Sequence, residues 1–291
     1  RAIDATVDQI WEEIGLSQAQ DSGVKYMTDA GAILGDDGRL RFPRGWVEDT
    51  LAECARHITL HGQNPKHDML LSGSRVHYGT AGAAVHVVDI AKNEYRESYL
   101  ADIYDAARIV EQMDNIHFFQ RPMVARDIPD PADLDFNTVY AAIKGTTKHV
   151  GVSFTEAEFM KPVFEMLHSV AGGGDKWRAR PFVSNSNCFV VPPLRFATES
   201  CLVMEEAVHN GMPVLLLSAG QAGATAPASI AGAVAQALSE VIAGLIYVNA
   251  MKPGHPCICG TWPFVSDLRT GAMSGGSGEQ GLLTAACAQM L

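Results

Sequence analysis

Polar residues gather at a few points where apolar runs stop. Phe119-Gln120-Arg121-Pro122 closes one run and Ser184-Asn185-Ser186-Asn187-Cys188 a second. Ser218-Ala219-Gly220-Gln221-Ala222-Gly223-Ala224-Thr225 closes a third. A fourth ends in Gly260-Thr261-Trp262 and leads to Asp267-Leu268-Arg269 and the glycine-rich Ser274-Gly275-Gly276-Ser277-Gly278-Glu279. Asn, Ser and Gly also make ordinary turns, so convergence of the set matters more than any one member. Amides of the glycine-rich segment at a helix start could hold an anion or phosphate. No Gly-Lys-Ser/Thr follows, so it is not a P-loop, and Glu279 also suits plain capping at the positive helix end. In His255-Pro256-Cys257-Ile258-Cys259 the three ligand types alternate and would share one strand face, a pattern compatible with zinc. No Cys-His pair, Ser-His-Asp set or paired-carboxylate signature stands in the chain, which leaves the chemistry to a cofactor or another protein.

These points need elements to hold them. From residue 84, short apolar runs (84–88, 116–124, 149–154, 181–190, 213–218, 256–262) alternate with helical patterns (99–113, 138–144, 156–170, 197–210, 227–250, 279–291). The runs recur every roughly 30 to 40 residues, the size of one βα unit. They are internally unalternated, as in Val214-Leu215-Leu216-Leu217, which is how strands buried on both faces read. Strict βα alternation requires a parallel sheet. An open dinucleotide-binding sheet would carry Gly-x-Gly-x-x-Gly after its first strand, and nothing there matches. The prediction is an α/β fold of the TIM (β/α)8 type over residues 84–291, with about six βα units and the site at the carboxyl ends of the strands. About two further units are expected beyond Leu291. Residues 1–83 predict a small α+β cap or entry region. Helices are expected at 3–14, 24–30 and 43–54, a turn at Gly35-Asp36-Asp37-Gly38, and strands at 58–61, 69–71 and 76–78.

Composition narrows the class. Hydrophobic residues are 47 % and charged residues 19 %, which is globular. A net charge of −11 excludes a nucleic-acid partner, since phosphate binding needs a dense Lys/Arg surface. The apolar stretch 230–250 is interrupted by Gln236, Ser239 and Glu240, so it reads as a buried helix and no membrane partner is expected. Six cysteines without a regular framework point to reduced thiols and a cytoplasmic setting. The chain opens Arg-Ala-Ile-Asp, read as a trimmed N-terminus without a signal peptide. A homo-oligomer is left open.

The polar segments also fall into an ordered set. It runs Arg41-Phe42-Pro43, Tyr78-Gly79-Thr80, Asn115-Ile116-His117-Phe118, Gln120-Arg121-Pro122 and Thr146-Thr147-Lys148, then Gly220 to Pro227, then Asp267 to Ser274 with Gly278-Glu279-Gln280. In this order and spacing the chain resembles the trimethylamine methyltransferase family over nearly its whole length. The resemblance implies a TIM barrel that moves a methyl group from a methylated amine to the Co(I) corrinoid (cobalamin) of a partner protein, with no tightly bound metal. Members acting on trimethylamine itself carry pyrrolysine. This sequence has none, so the resemblance points to a member without it and to a quaternary amine such as glycine betaine, with trimethylamine as the other donor. On this reading Asp267 and Glu279 serve the reacting cation as catalytic carboxylates. Gln120, Arg121, Asn187, Gln221, Thr225, Trp262 and Arg269 bind substrate, with Phe119 and Phe264 as further aromatic faces. Ser274, Gly275 and Gly276 meet the cofactor. Two rival readings stand beside it: a zinc-dependent barrel enzyme using His255, Cys257 and Cys259, and a non-catalytic barrel that binds a small ligand.

Overall fold

The computed structural model describes all residues from Arg1 to Leu291. Its repeating part is α1 (Leu100–Glu111), β1 (Phe118–Gln120), α2 (Pro131–Gly145), β2 (His149–Val152), α3 (Met160–Ala171) and β3 (Val183–Asn187), then α4 (Thr198–His209), β4 (Val214–Ser218), α5 (Ile230–Met251), β5 (Cys257–Thr261) and α6 (Gly278–Met290). The strand order β5-β4-β3-β2-β1 follows the chain, with a helix at every crossover. The outcome is a mixed α/β fold with a five-stranded sheet in that order, compatible with the expected barrel.

One expected strand is corrected. Residues 84–88 do not supply a barrel strand: His86–Asp89 pairs antiparallel with Glu94–Glu97. The turn chemistry explains it. The Asp89 carboxylate accepts from the amides of Ala91 and Lys92, and Asn93 takes the left-handed backbone (φ 53°). The chain beside β1 is instead the 78–80 segment, where Gly79 bridges Phe118 in parallel. Only glycine fits there, because a Cβ would lie 2.3 Å from the Phe118 ring.

The chain divides into two compact units, residues 1–55, 187–208 and 215–291, and residues 56–186 and 209–214. In the second unit, β1 and β2 pair in the register Phe118↔His149 and Gln120↔Gly151, and β2 and β3 in the register Gly151↔Ser184 and Val152↔Asn185. Phe119, Val150, Val152 and Val183 are fully buried, as is Ile103 of α1, and Val139 of α2 nearly so. Gly145 ends α2 where a Cβ would be 2.6 Å from Ala107 of α1, so its missing side chain sets the closeness of the two helices. The ammonium of Lys148, buried with its residue, donates to the carbonyls of Val110, Met113 and Ile116 at 2.6–2.7 Å, closing the C-terminal end of α1.

The first unit is built on α5. By length and hydropathy this helix could cross a membrane, but 72 % of its most apolar window is buried inside the protein. It is buried nearly all round, as a central core helix is. Its polar residues have internal partners. The Ser239 carbonyl accepts from the Trp11 indole, and the Tyr247 hydroxyl donates to Glu205 of α4.

Candidate functional site

In the first unit the carboxyl end of β4 is held by one buried carboxylate. Glu240 of α5 is fully buried. Its Oε2 accepts from Ser218 Oγ at 2.5 Å, and its Oε1 accepts from Leu194 N at 2.8 Å and Gln236 Nε2 at 3.1 Å. Burial pushes the Glu240 pKa up, and the three donors oppose that. Gln236 Nε2 also donates to the Thr225 carbonyl at 2.9 Å, so the network reaches into the 219–227 loop. Within that loop Thr225 Oγ1 accepts from Gln221 N, and Gln221 Nε2 donates to Ser266 Oγ at 2.7 Å. Gln221 and Thr225, both expected on the substrate, are thus engaged in shaping the loop. Asn187 donates to the Ser200 carbonyl and keeps its Oδ1 unpartnered.

The loop end of β5 is aromatic and open. Trp262 and Phe264 have ring centroids 5.3 Å apart, and Trp262 is 47 % exposed. Asp267 and Arg269 are brought together with each other. The Asp267 carboxylate accepts from Arg269 N, Nε and Nη2 at 2.9–3.1 Å, and this partner holds its pKa below the usual carboxylate range. Ser274 pairs antiparallel with Val265. The Gly276 amide is taken by Gln280 Oε1 at 2.6 Å, and Ser277 caps α6 through Gln280 N. Glu279, in the first turn of α6, lines a cleft of about 80 Å³ with Ala222, Gly223, Ile230, Ser266 and Leu283. A Cβ added at Gly271, Gly275, Gly276 or Gly278 would meet nothing within 4 Å. The glycines thus face open space, beside the exposed side chains of Leu268 and Met273.

In the second unit the sheet itself carries the polar groups. Gln120 is half-buried. Its carboxamide lies over Gly151, where a Cβ would sit 1.9 Å from Gln120 Oε1. Arg121 continues the ladder through its amide to the Gly151 carbonyl. Its guanidinium has an unpartnered buried Nε, and burial lowers its pKa against the opposing charge of Asp135 on α2. Asp135 is buried, accepts from Thr155 N and Oγ1, and has its pKa raised by that burial. Phe119 is fully buried in the core, so it offers no face to a ligand.

One residue of this unit was not singled out by its sequence. His149 Nδ1 donates to the His61 carbonyl at 2.8 Å, and its Nε2 lies 2.9 Å from Ser184 Oγ. Burial holds the His149 pKa down to about 4, so the ring is neutral and Nε2 accepts the serine hydrogen. A lone His opening an apolar strand reads as core, and only the register of β2 and β3 reveals its partner. Asn185 is fully buried with both side-chain atoms unpartnered.

The rival zinc set does not assemble. No three His, Cys, Asp or Glu side chains come together as ligands, and burial raises both thiols, Cys259 to about 12, which disfavours the thiolates zinc needs.

The chain matches the family described as trimethylamine methyltransferase (MTTB) over residues 1–291. The trimethylamine methyltransferase MttB of Desulfitobacterium hafniense (strain DSM 10664 / DCB-2) is 28 % identical over 290 residues, covering 99 % of this chain and 58 % of that protein. The glycine betaine methyltransferase of Desulfitobacterium hafniense (strain Y51) is 27 % identical over 284 residues, 97 % of this chain and 58 % of its own length. The MttB of Methanosarcina thermophila is 26 % identical over 255 residues, 86 % and 53 % respectively. The chain therefore spans 53–58 % of these relatives.

Proposed function

Since the chain belongs to the trimethylamine methyltransferase family, we propose that it serves the transfer of a methyl group from a methylated amine to a corrinoid protein in the cytoplasm. The observation that carries this is the family match along the whole chain, joined by relatives named for trimethylamine and for glycine betaine. A quaternary amine such as glycine betaine is the proposed donor, after the relative named for that substrate.

The corrinoid cobalt of the partner supplies the methyl acceptor. The residues of the first unit fit a face offered to such a group. Trp262 and Phe264 give flat apolar rings, exposed Met273 adds apolar surface, and the glycines at 271, 275, 276 and 278 leave open space beside them for a broad macrocycle. Trp262, expected on the substrate, is assigned to this partner-facing surface, together with Ser274, Gly275 and Gly276. Glu240 has a positioning role: its three donors hold the Ser218–Thr225 loop in one shape before any ligand arrives, so little ordering is left to do on binding.

Product analysis tests the proposal. The full chain is incubated with a reduced corrinoid protein and, in turn, glycine betaine, trimethylamine, choline and tetramethylammonium. Formation of the singly demethylated amine, detected by proton NMR, is expected with at least one quaternary donor. No demethylated product from any of them would overturn the proposal.

A further inference from the structure

The second unit carries a polar arrangement that this reading leaves unused. Successive strand residues point to opposite faces. Phe119, Val150, Val152 and Val183 form the fully buried face, so Phe118, Gln120, His149, Gly151 and Ser184 share the other. The register sets Gln120, Gly151 and Ser184 side by side in one row across β1, β2 and β3. Gly151 is the middle position, and the Gln120 carboxamide folds over it with Oε1 closest.

The hydrogen positions in this row follow from chemistry. The His61 carbonyl can only accept, so His149 Nδ1 carries the ring proton and Nε2 is a bare lone pair. Ser184 must then donate to Nε2. Its hydrogen is committed to His149, and its oxygen has only lone pairs left for another group. The Gln120 Oε1 is a second uncharged acceptor in the same row. Phe118, half-buried, adds an aromatic ring in the next row, at the position paired with His149.

Two acceptor oxygens and a ring without a formal charge suit one ligand class. A quaternary ammonium has no N–H to donate and spreads its charge over its methyl hydrogens. Such a group is held by C–H···O contacts and aromatic faces. A carboxylate would meet the lone pairs of Ser184 Oγ and Gln120 Oε1, with only the Gln120 Nε2 amide able to donate to it.

We infer that Gln120 and Ser184 form the seat of the donor's methylated ammonium group, and that His149 is the positioning residue that turns the Ser184 oxygen toward it. This rests on the reading of the chain as a methylamine methyltransferase, but binding can be measured apart from transfer.

The test is calorimetric titration of the full chain with tetramethylammonium, without a corrinoid protein. Ser184→Ala is expected to weaken binding about tenfold, and Ser184→Thr, which keeps the hydroxyl, to stay within about threefold of the parent chain. Gln120→Leu is expected to weaken binding to a similar degree and serves if Ser184→Ala does not fold. Parent-like binding in both Ser184→Ala and Gln120→Leu would overturn the seat, as would a parent chain that binds no tetramethylammonium. Selective loss of binding in a chain that transfers no methyl group would support the seat while overturning only the reaction. Normal transfer with unaltered binding in the variants would do the reverse.

Discussion

At the scale of single residues, the chain keeps buried polar groups in quite different accounts. His149 has both nitrogens paired and is neutral because burial penalises its cation. Its folded pKa is about 4, against about 6.5 when unfolded. As pH falls from about 6.5 to about 4, the unfolded chain takes up this proton first, so stability falls across that window. The loss from this group is at most ~3 kcal/mol, and above the window it contributes no pH dependence. Urea midpoints of the parent and His149→Gln chains, compared from pH 7.5 to 4, are expected to converge as pH falls; parallel profiles would contradict the buried neutral ring. Asn185 is the opposite case, with neither amide atom partnered. Replacing such a group by an apolar one of similar shape removes an unpaid desolvation cost. Asn185→Leu is therefore expected to leave the unfolding free energy unchanged or to raise it by about 1 kcal/mol, in a denaturant titration.

At the scale of elements, α5 and the ends of β4 and β5 act together within the first unit. Glu240→Ala would leave Ser218 Oγ and Leu194 N without their acceptor and Gln236 Nε2 with the Thr225 carbonyl alone, and an expected loss of about 3 kcal/mol follows from orphaned buried donors. Glu240→Gln, which keeps one carbonyl oxygen, should lose less in the same chemical unfolding experiment. Gly145→Ala should cost about 1–3 kcal/mol, because its methyl would force α1 and α2 apart. Much of this layer is legible in sequence. The unalternated run at 214–217 and the long apolar pattern from 230 became β4 and α5 because burial on both faces writes itself into composition, while the run expected at 181–190 became β3 over its polar Val183–Asn187 stretch. The run at 84–88 misled because a hairpin strand of the same length looks alike, and only the Asp89 and Asn93 turn tells them apart. The polar strand ends stood out for their residue types. Their engagements did not: Asp267 with Arg269, Gln221 with Ser266, and His149 with Ser184 are pairings of register and loop shape, which spacing alone does not specify.

At the scale of the whole molecule, the chain belongs to a known family and spans 53–58 % of the relatives compared. Its net charge of −11 disfavours a polyanionic ligand, because long-range potential favours ligands of opposite sign. Methyl transfer from a quaternary amine to a corrinoid protein is the proposed reaction. The most direct measurement is the visible absorbance of a reduced corrinoid protein mixed with the full chain and glycine betaine. Loss of the Co(I) band, dependent on both chain and amine, is expected. A band that stays constant with glycine betaine and with every other methylated amine supplied would contradict it.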